Sequence, residues 1–224
     1  HIVVDPRMTN LGKEADIWLS LRPGTDGAMA MGWLNIIVNN NLYDELFAKR
    51  WTNGPFLVCN DIEPSGYEAF RFTSGTFELK TRLLKQSDVQ EGGDPHKFLV
   101  WDNLNNRMTY FDADSGLWEG ETWTPPTKGH EGMQEHLVDG VSQGWVPDPS
   151  PFNPEIDPAL TGEFQVTLKD GTVSTVKPVW EYFVERVNEY PVERVSEITG
   201  VSADLIEKAC LTHATRIDPS TGYG

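Results

Sequence analysis

Residues 27–38, GAMAMGWLNIIV, carry Asn35 as their only strongly polar side chain. A helix built from them is apolar on nearly every face, so it must be buried among other elements, as in an α/β layer. What precedes it narrows the architecture further. Ile2-Val3-Val4 is a short apolar run closed by Asp5-Pro6, the pattern of a buried strand reaching its end. TNLGKEA then reads as a turn or short helix, and DIWLSL alternates apolar and polar residues as a second short strand does. Pro23-Gly24 breaks that run. Thr25 or Asp26 follows where a side-chain oxygen can cap the coming helix. Asn39-Asn40-Asn41 end the helix, and Asp44 is placed to cap another, DELFAKRW.

Residues 52–176 have a different texture. Gly, Pro and Asn punctuate short runs such as KFLVWD, RMTYFD and GEFQVTL, with Asn105-Asn106 and Asp170-Gly171 between strand-like segments. Asp-Gly is a strong hairpin signal, so this stretch reads as β-hairpins and long loops inserted into the α/β frame. WVPDPSPFNPEIDP reads as an extended, Pro-rich surface connection that resists regular structure. Helix returns at the end. In PVWEYFVERVNEY, Val179, Phe183 and Val187 recur every fourth residue and Pro178 suits a first turn. PVERVSEITG is a short helix stopped by Gly200, and Ser202 caps ADLIEKACLTHATRI.

Composition excludes several function classes. The net charge of −16 makes nucleic acid and anionic membrane surfaces poor partners, because phosphate binding needs a basic face. No apolar run reaches the roughly 20 residues that span a bilayer, so direct membrane insertion is not expected. The two cysteines, Cys59 and Cys210, form no CxxC; each reads as a small buried side chain, and they do not fix a compartment. Walker and GxGxxG patterns are absent, which removes support for NTPase and ordinary NAD-binding readings. In HEGMQEH, His130 and His136 are six apart with Gly132 between them, whereas a zincin helix needs two His four apart on one face. His213 reads as a partly buried helix residue. Trp101, Trp118, Trp123 and Trp145 read as aromatics pinning loops to a core, with a ligand surface as the rival reading.

The candidate site is the pair of turns before the apolar helix. In an open α/β sheet ligands lie beyond the carboxyl ends of the strands. An acidic residue closing a strand can accept from ribose hydroxyls, and an Arg beside it can engage phosphate or stack on a base. A Pro-Gly-Thr-Asp turn at a helix start offers N–H groups, a hydroxyl and a carboxylate, and the carboxylate can take the paired N–H donors of a guanine edge. On spacing alone, ordinary turn-and-cap chemistry is the leading reading of the same residues.

Residues 3–47, VVDPRMTNLGKEADIWLSLRPGTDGAMAMGWLNIIVNNNLYDELF, closely resemble the molybdopterin oxidoreductases of the dimethyl sulfoxide reductase family. That family has a strand ending in Asp-Pro-Arg, a second strand, Pro-Gly-Thr-Asp and a small-residue helix leading to Tyr-Asp. Residues 179–214 resemble the family's ITGV region, and the hairpin in residues 162–181 is most similar to its acetylene hydratase, transhydroxylase and catechol dehydroxylase branch. The resemblance implies a Rossmann-like α/β domain, an open sheet with flanking helices and a β-rich insertion at residues 52–176, cut from a larger catalytic subunit. It implies that the domain holds the guanosine end of one molybdopterin guanine dinucleotide carrying molybdenum or tungsten. Asp5 and Arg7 would lie at the ribose and phosphate, and Arg22, Pro23, Gly24, Thr25 and Asp26 would form the base pocket, with Asp26 on the guanine edge.

The family's cysteine cluster for an iron–sulfur centre, its segment carrying the protein ligand to the metal and its second dinucleotide domain are not found in this sequence. The resemblance therefore implies that the chemistry lies outside this segment, that the isolated chain is inactive, and that its partners are the rest of the parent subunit and an iron–sulfur electron-transfer subunit. Two other readings stand beside it: a stand-alone nucleotide or sugar-phosphate binding domain, and a noncatalytic interaction module built on the Trp-rich stretch.

Overall fold

A computed structural model describes residues 1–71, 75–121, 133–138, 141–147 and 155–215; for residues 66–71, 75–79, 133–138 and 141–147 it describes the backbone alone. In chain order the elements begin β1 (Ile2–Val4), α1 (Asn10–Lys13), β2 (Ile17–Leu19), α2 (Asp26–Asn39) and α3 (Glu45–Trp51). There follow β3 (Leu57–Cys59), β4 (Ser65–Arg71), β5 (Gly75–Thr81), α4 (Gln86–Val89), β6 (Lys97–Asp102), β7 (Arg107–Asp112) and β8 (Leu117–Trp118). The remainder is β9 (Met133–Val138), β10 (Val141–Pro147), β11 (Phe164–Thr167), β12 (Val173–Pro178), α5 (Val179–Asn188), α6 (Val192–Thr199) and α7 (Ala203–Ala214). The fold is α/β, and it divides into two compact units, His1–Asp44 with Tyr182–Gly224, and Glu45–Glu181.

In the first unit β1 and β2 pair in parallel, Ile2 to Ile17 and Val4 to Leu19. Parallel neighbours need a crossover, and residues 5–16 supply it through α1, whose first turn Thr9 caps by accepting from Gly12 N–H at 3.2 Å. Ile17, Leu19 and Leu21 point into a core with Met29 and Ile36 of α2, Val195 of α6 and Ile206, Ala209 and Cys210 of α7. The helix α2 crosses α6 closely because Gly32 has no side chain there: a Cβ would lie 2.8 Å from Val195 Cγ2. Its end is set by the Asn run, with Asn40 donating to Ile36 O at 2.8 Å and Asn41 in the left-handed region at φ 52°.

Several details depart from expectation. β1 is half-buried to exposed rather than buried, because among the described residues β2 is its only strand neighbour. α2 buries one stripe, Met29, Gly32 and Ile36, with Val38 beyond, and leaves Ala30 exposed, so its apolar composition overstates its burial. Pro178 closes β12 rather than opening α5, its ring tolerated at a strand end. Trp145, Val146 and Pro147, expected in an irregular connection, belong to β10. His213 is exposed, with its ring 5.5 Å from Trp33. The helix α7 ends at Ala214, before Thr215.

The second unit is a set of small antiparallel sheets. β11, β12 and β3 form one, with Gly171 at φ 88° completing the Asp170-Gly171 hairpin turn. β6, β7 and β8 form another, joined through Asn106 at φ 51°. Leu57, Cys59, Leu84, Leu99, Val166 and Val176 share one core, and Val100, Trp118 and Ile156 another. Trp101 stacks on Phe164 at 4.6 Å, and Trp118 meets Phe111 edge-on at 5.3 Å, as aromatics that pin strands together. Trp123 and His130 lie outside the described residues, and Trp145 and His136 are described as backbone only. No helix among the described residues is long and apolar enough to cross a membrane.

Candidate nucleotide site at the strand ends

Parallel pairing decides where the two turns go. Because β1 and β2 run the same way, Asp5-Pro6-Arg7 and the segment leading to Pro23-Gly24-Thr25-Asp26 leave the sheet at the same end. Asp5 N–H still donates to Leu19 O at 3.2 Å, and Trp18 Nε1 donates to Asp5 O at 2.9 Å, so the exit of β1 is fixed against β2. The Asp5 carboxylate accepts from Arg7 N–H at 2.7 Å, an Asx turn that folds the chain back and leaves the Arg7 side chain exposed.

At the second turn Thr25 N–H donates to Arg22 O at 3.2 Å and Gly24 has φ 82°. Pro at the second position and a left-handed Gly at the third are the requirements of a type II turn. A Cβ on Gly24 would meet nothing within 4 Å, so Gly is there for its backbone and the space beside it is open. Thr25 occupies the N-cap position of α2, but its hydroxyl turns back to donate to Arg22 O at 2.7 Å and makes no cap hydrogen bond. The expected side-chain cap is thus absent; the same holds for Ser202 ahead of α7. The first turn of α2 keeps the outward N–H groups that every helix start leaves without intrahelical acceptors, with exposed Asp26 among them.

Arg22 has other partners. Its backbone N–H donates to Thr199 O at 2.8 Å, and Nη1 donates to Glu197 O at 2.7 Å and Ile198 O at 3.1 Å. These are the last carbonyls of α6, which a cation complements. The sequence showed Gly200 as the stop of α6 but not that the stop meets Arg22, since nothing local in either segment encodes a contact across so much chain.

The second unit holds a cleft that sequence reasoning did not single out, about 510 Å³ between α3 and the β7–β8 turn. Trp51, Phe56, Phe111 and Trp118 line it, beside the Arg50–Glu121 ion pair at 2.7 Å. Loop 155–158 is tied down nearby. Asp102, fully buried, accepts from Leu104 N–H at 3.0 Å, Asn105 Nδ2 at 2.6 Å and Asp157 N–H at 2.9 Å. Burial alone would raise the Asp102 carboxyl, but these donors outweigh it and hold it below its ordinary value of 3.8. Lys49 bonds Glu45 and Asp157, each at 2.6 Å. Burial pushes the Cys210 thiol up to about 11, and its Sγ donates to Trp33 O at 3.5 Å, the state of an inert core thiol.

No protein-family model matches the chain. Dopamine dehydroxylase of Eggerthella lenta is 52% identical over 246 aligned residues, covering 100% of this chain and 24% of the relative. Perchlorate reductase subunit alpha of Dechloromonas aromatica is 27% identical over 96% of this chain and 20% of its own length. Acetylene hydratase of Syntrophotalea acetylenica is 51% identical over 53 residues, 24% of this chain and 7% of its own. The chain thus spans about a quarter or less of these relatives. Over its whole length the chain is similar to one segment of these oxidoreductase chains of the dimethyl sulfoxide reductase family.

Proposed function

We propose that the first unit holds the guanosine end of a molybdopterin guanine dinucleotide in a molybdenum or tungsten oxidoreductase. The observation that carries this is the parallel register of β1 and β2, which sends both turns out at one sheet end. The site's chemistry fits the group: an exposed carboxylate on Asp26, outward N–H groups at the start of α2, and open space beside Gly24. Asp26 would take the guanine edge, Asp5 the ribose and Arg7 a phosphate. When bound, the cofactor supplies the redox chemistry; these residues hold and orient its nucleotide. Within the parent enzyme, 52% identity to dopamine dehydroxylase favours reductive removal of a ring hydroxyl over hydration. Residues 52–176 are proposed as an insertion in this α/β domain.

Calorimetry with GMP and AMP on the cofactor-free parent subunit tests the assignment. GMP is expected to bind, AMP to bind at least tenfold more weakly, and Asp26→Ala to remove the difference, because a lost bidentate carboxylate contact is worth about 1.5–3 kcal/mol. Equal binding of both nucleotides by wild type and variant would leave Asp26 as a residue of the helix start alone.

A further inference from the structure

We infer that Arg22 is a positioning residue, not a nucleotide contact: it clamps the Pro23-Gly24 turn to the C-terminal end of α6, so that Gly200, remote in sequence, sets the geometry of the base pocket. This deepens the nucleotide reading above and rests on it.

The clamp has a donor side and a space requirement. On the donor side, Arg22 N–H goes to Thr199 O at 2.8 Å and Nη1 to Glu197 O and Ile198 O at 2.7 and 3.1 Å. Those three consecutive carbonyls close α6, where the helix dipole favours a cation. Arg22 O meanwhile accepts both from Thr25 N–H, at 3.2 Å, and from Thr25 Oγ1, at 2.7 Å. One residue therefore ties the α6 end with its N–H groups and the turn with its carbonyl. Thr25 is the residue before Asp26, so displacement of the clamp is passed directly to the carboxylate proposed to read guanine. The anchor itself is firm: Thr199 is fully buried and its hydroxyl donates to Val195 O at 2.8 Å, in the core shared with β2 and α2.

The space requirement falls on Gly200. It sits at φ 79°, where L side chains are strained, and a Cβ there would lie 3.2 Å from Arg22 Nε and 3.4 Å from Cζ. A side chain at Gly200 would push on the guanidinium as well as strain the backbone. Asp26 and Gly200 are thereby coupled through Arg22.

The test uses the full-length parent enzyme purified with its cofactor, as wild type, Arg22→Ala, Arg22→Lys, Gly200→Ala and Asp26→Ala. Two quantities are read: hydrogen exchange of peptides covering residues 20–30 and 196–202, and GMP released per molecule on acid hydrolysis. Arg22→Ala is expected to speed exchange in both peptides together and to lower retained GMP about tenfold. Arg22→Lys, which keeps a cation at the α6 end, should restore part of both. Gly200→Ala should reproduce the Arg22→Ala pattern, whereas Asp26→Ala should lose GMP with the 196–202 peptide unchanged. Loss of GMP in Arg22→Ala with normal exchange at 196–202 would overturn the clamp and make Arg22 a direct contact. Faster exchange without GMP loss would overturn its link to the pocket. Wild-type enzyme that releases no GMP would sink the nucleotide reading, while the exchange data still decide whether the clamp exists.

Discussion

At the scale of single residues, the sequence reported chemistry more readily than partners. Asp5, Arg7, Thr25 and Asp26 were visible as turn residues with groups suited to a nucleotide, and their positions at the strand ends follow from β1 and β2. The family resemblance placed Arg22 in the base pocket with them, and its guanidinium donates to the carbonyls that end α6. Asp102 was not singled out at all, because an Asp at a strand end looks like any hairpin residue until burial and donors are known. Its three donors imply a measurable cost on removal. Asp102→Asn keeps the size but loses the charge-assisted bonds, and is expected to cost about 2 kcal/mol in urea unfolding at pH 7. Since its folded pKa lies below 3.8, the stabilisation is fully present above that value and is lost as pH falls through the depressed one. The gap between wild type and variant should therefore narrow as pH falls below 3.8; a gap independent of pH would mean that the carboxylate's charge is irrelevant.

At the scale of elements, sequence patterning found α2, α3, α5, α6 and α7 and the hairpins at Asn105-Asn106 and Asp170-Gly171, because those signals are local, but not the single turn of α4. It misjudged how much of each element is buried. β1 reads as core and is half-exposed, and α2 reads as buried all round and hides one stripe. Burial depends on what the rest of the fold places alongside, which no window of residues contains. Gly32 shows the reverse case, a small residue whose value is invisible without its neighbour. Gly32→Ala gains helix propensity, worth up to about 1 kcal/mol, but drives a methyl to 2.8 Å from Val195. Overpacking costs typically 1–3 kcal/mol, so net destabilisation of about 1 kcal/mol is expected in thermal unfolding. Pairing Gly32→Ala with Val195→Ala should recover part of that loss, and simple additivity of the two would show that the helices do not meet there.

For the whole molecule, the proposed site is legible only where a local motif and a long-range pairing agree. The motifs lie in residues 3–26, but what sends both turns out at one sheet end is the parallel pairing of two short strands across α1. The same logic leaves the aromatic cleft of the second unit unread in sequence, since Trp51, Phe56, Phe111 and Trp118 come from separate elements. Net charge of −16 places a further demand on a phosphate-bearing ligand: attraction must come from oriented N–H groups and Arg7, not from the overall field. The most direct measurement is a density map of the full-length enzyme with its cofactor bound. A guanine edge is expected within hydrogen-bond distance of the Asp26 carboxylate and a ribose beside Asp5, at the shared end of β1 and β2. A nucleotide seated elsewhere, with that end packed only by protein, would contradict it.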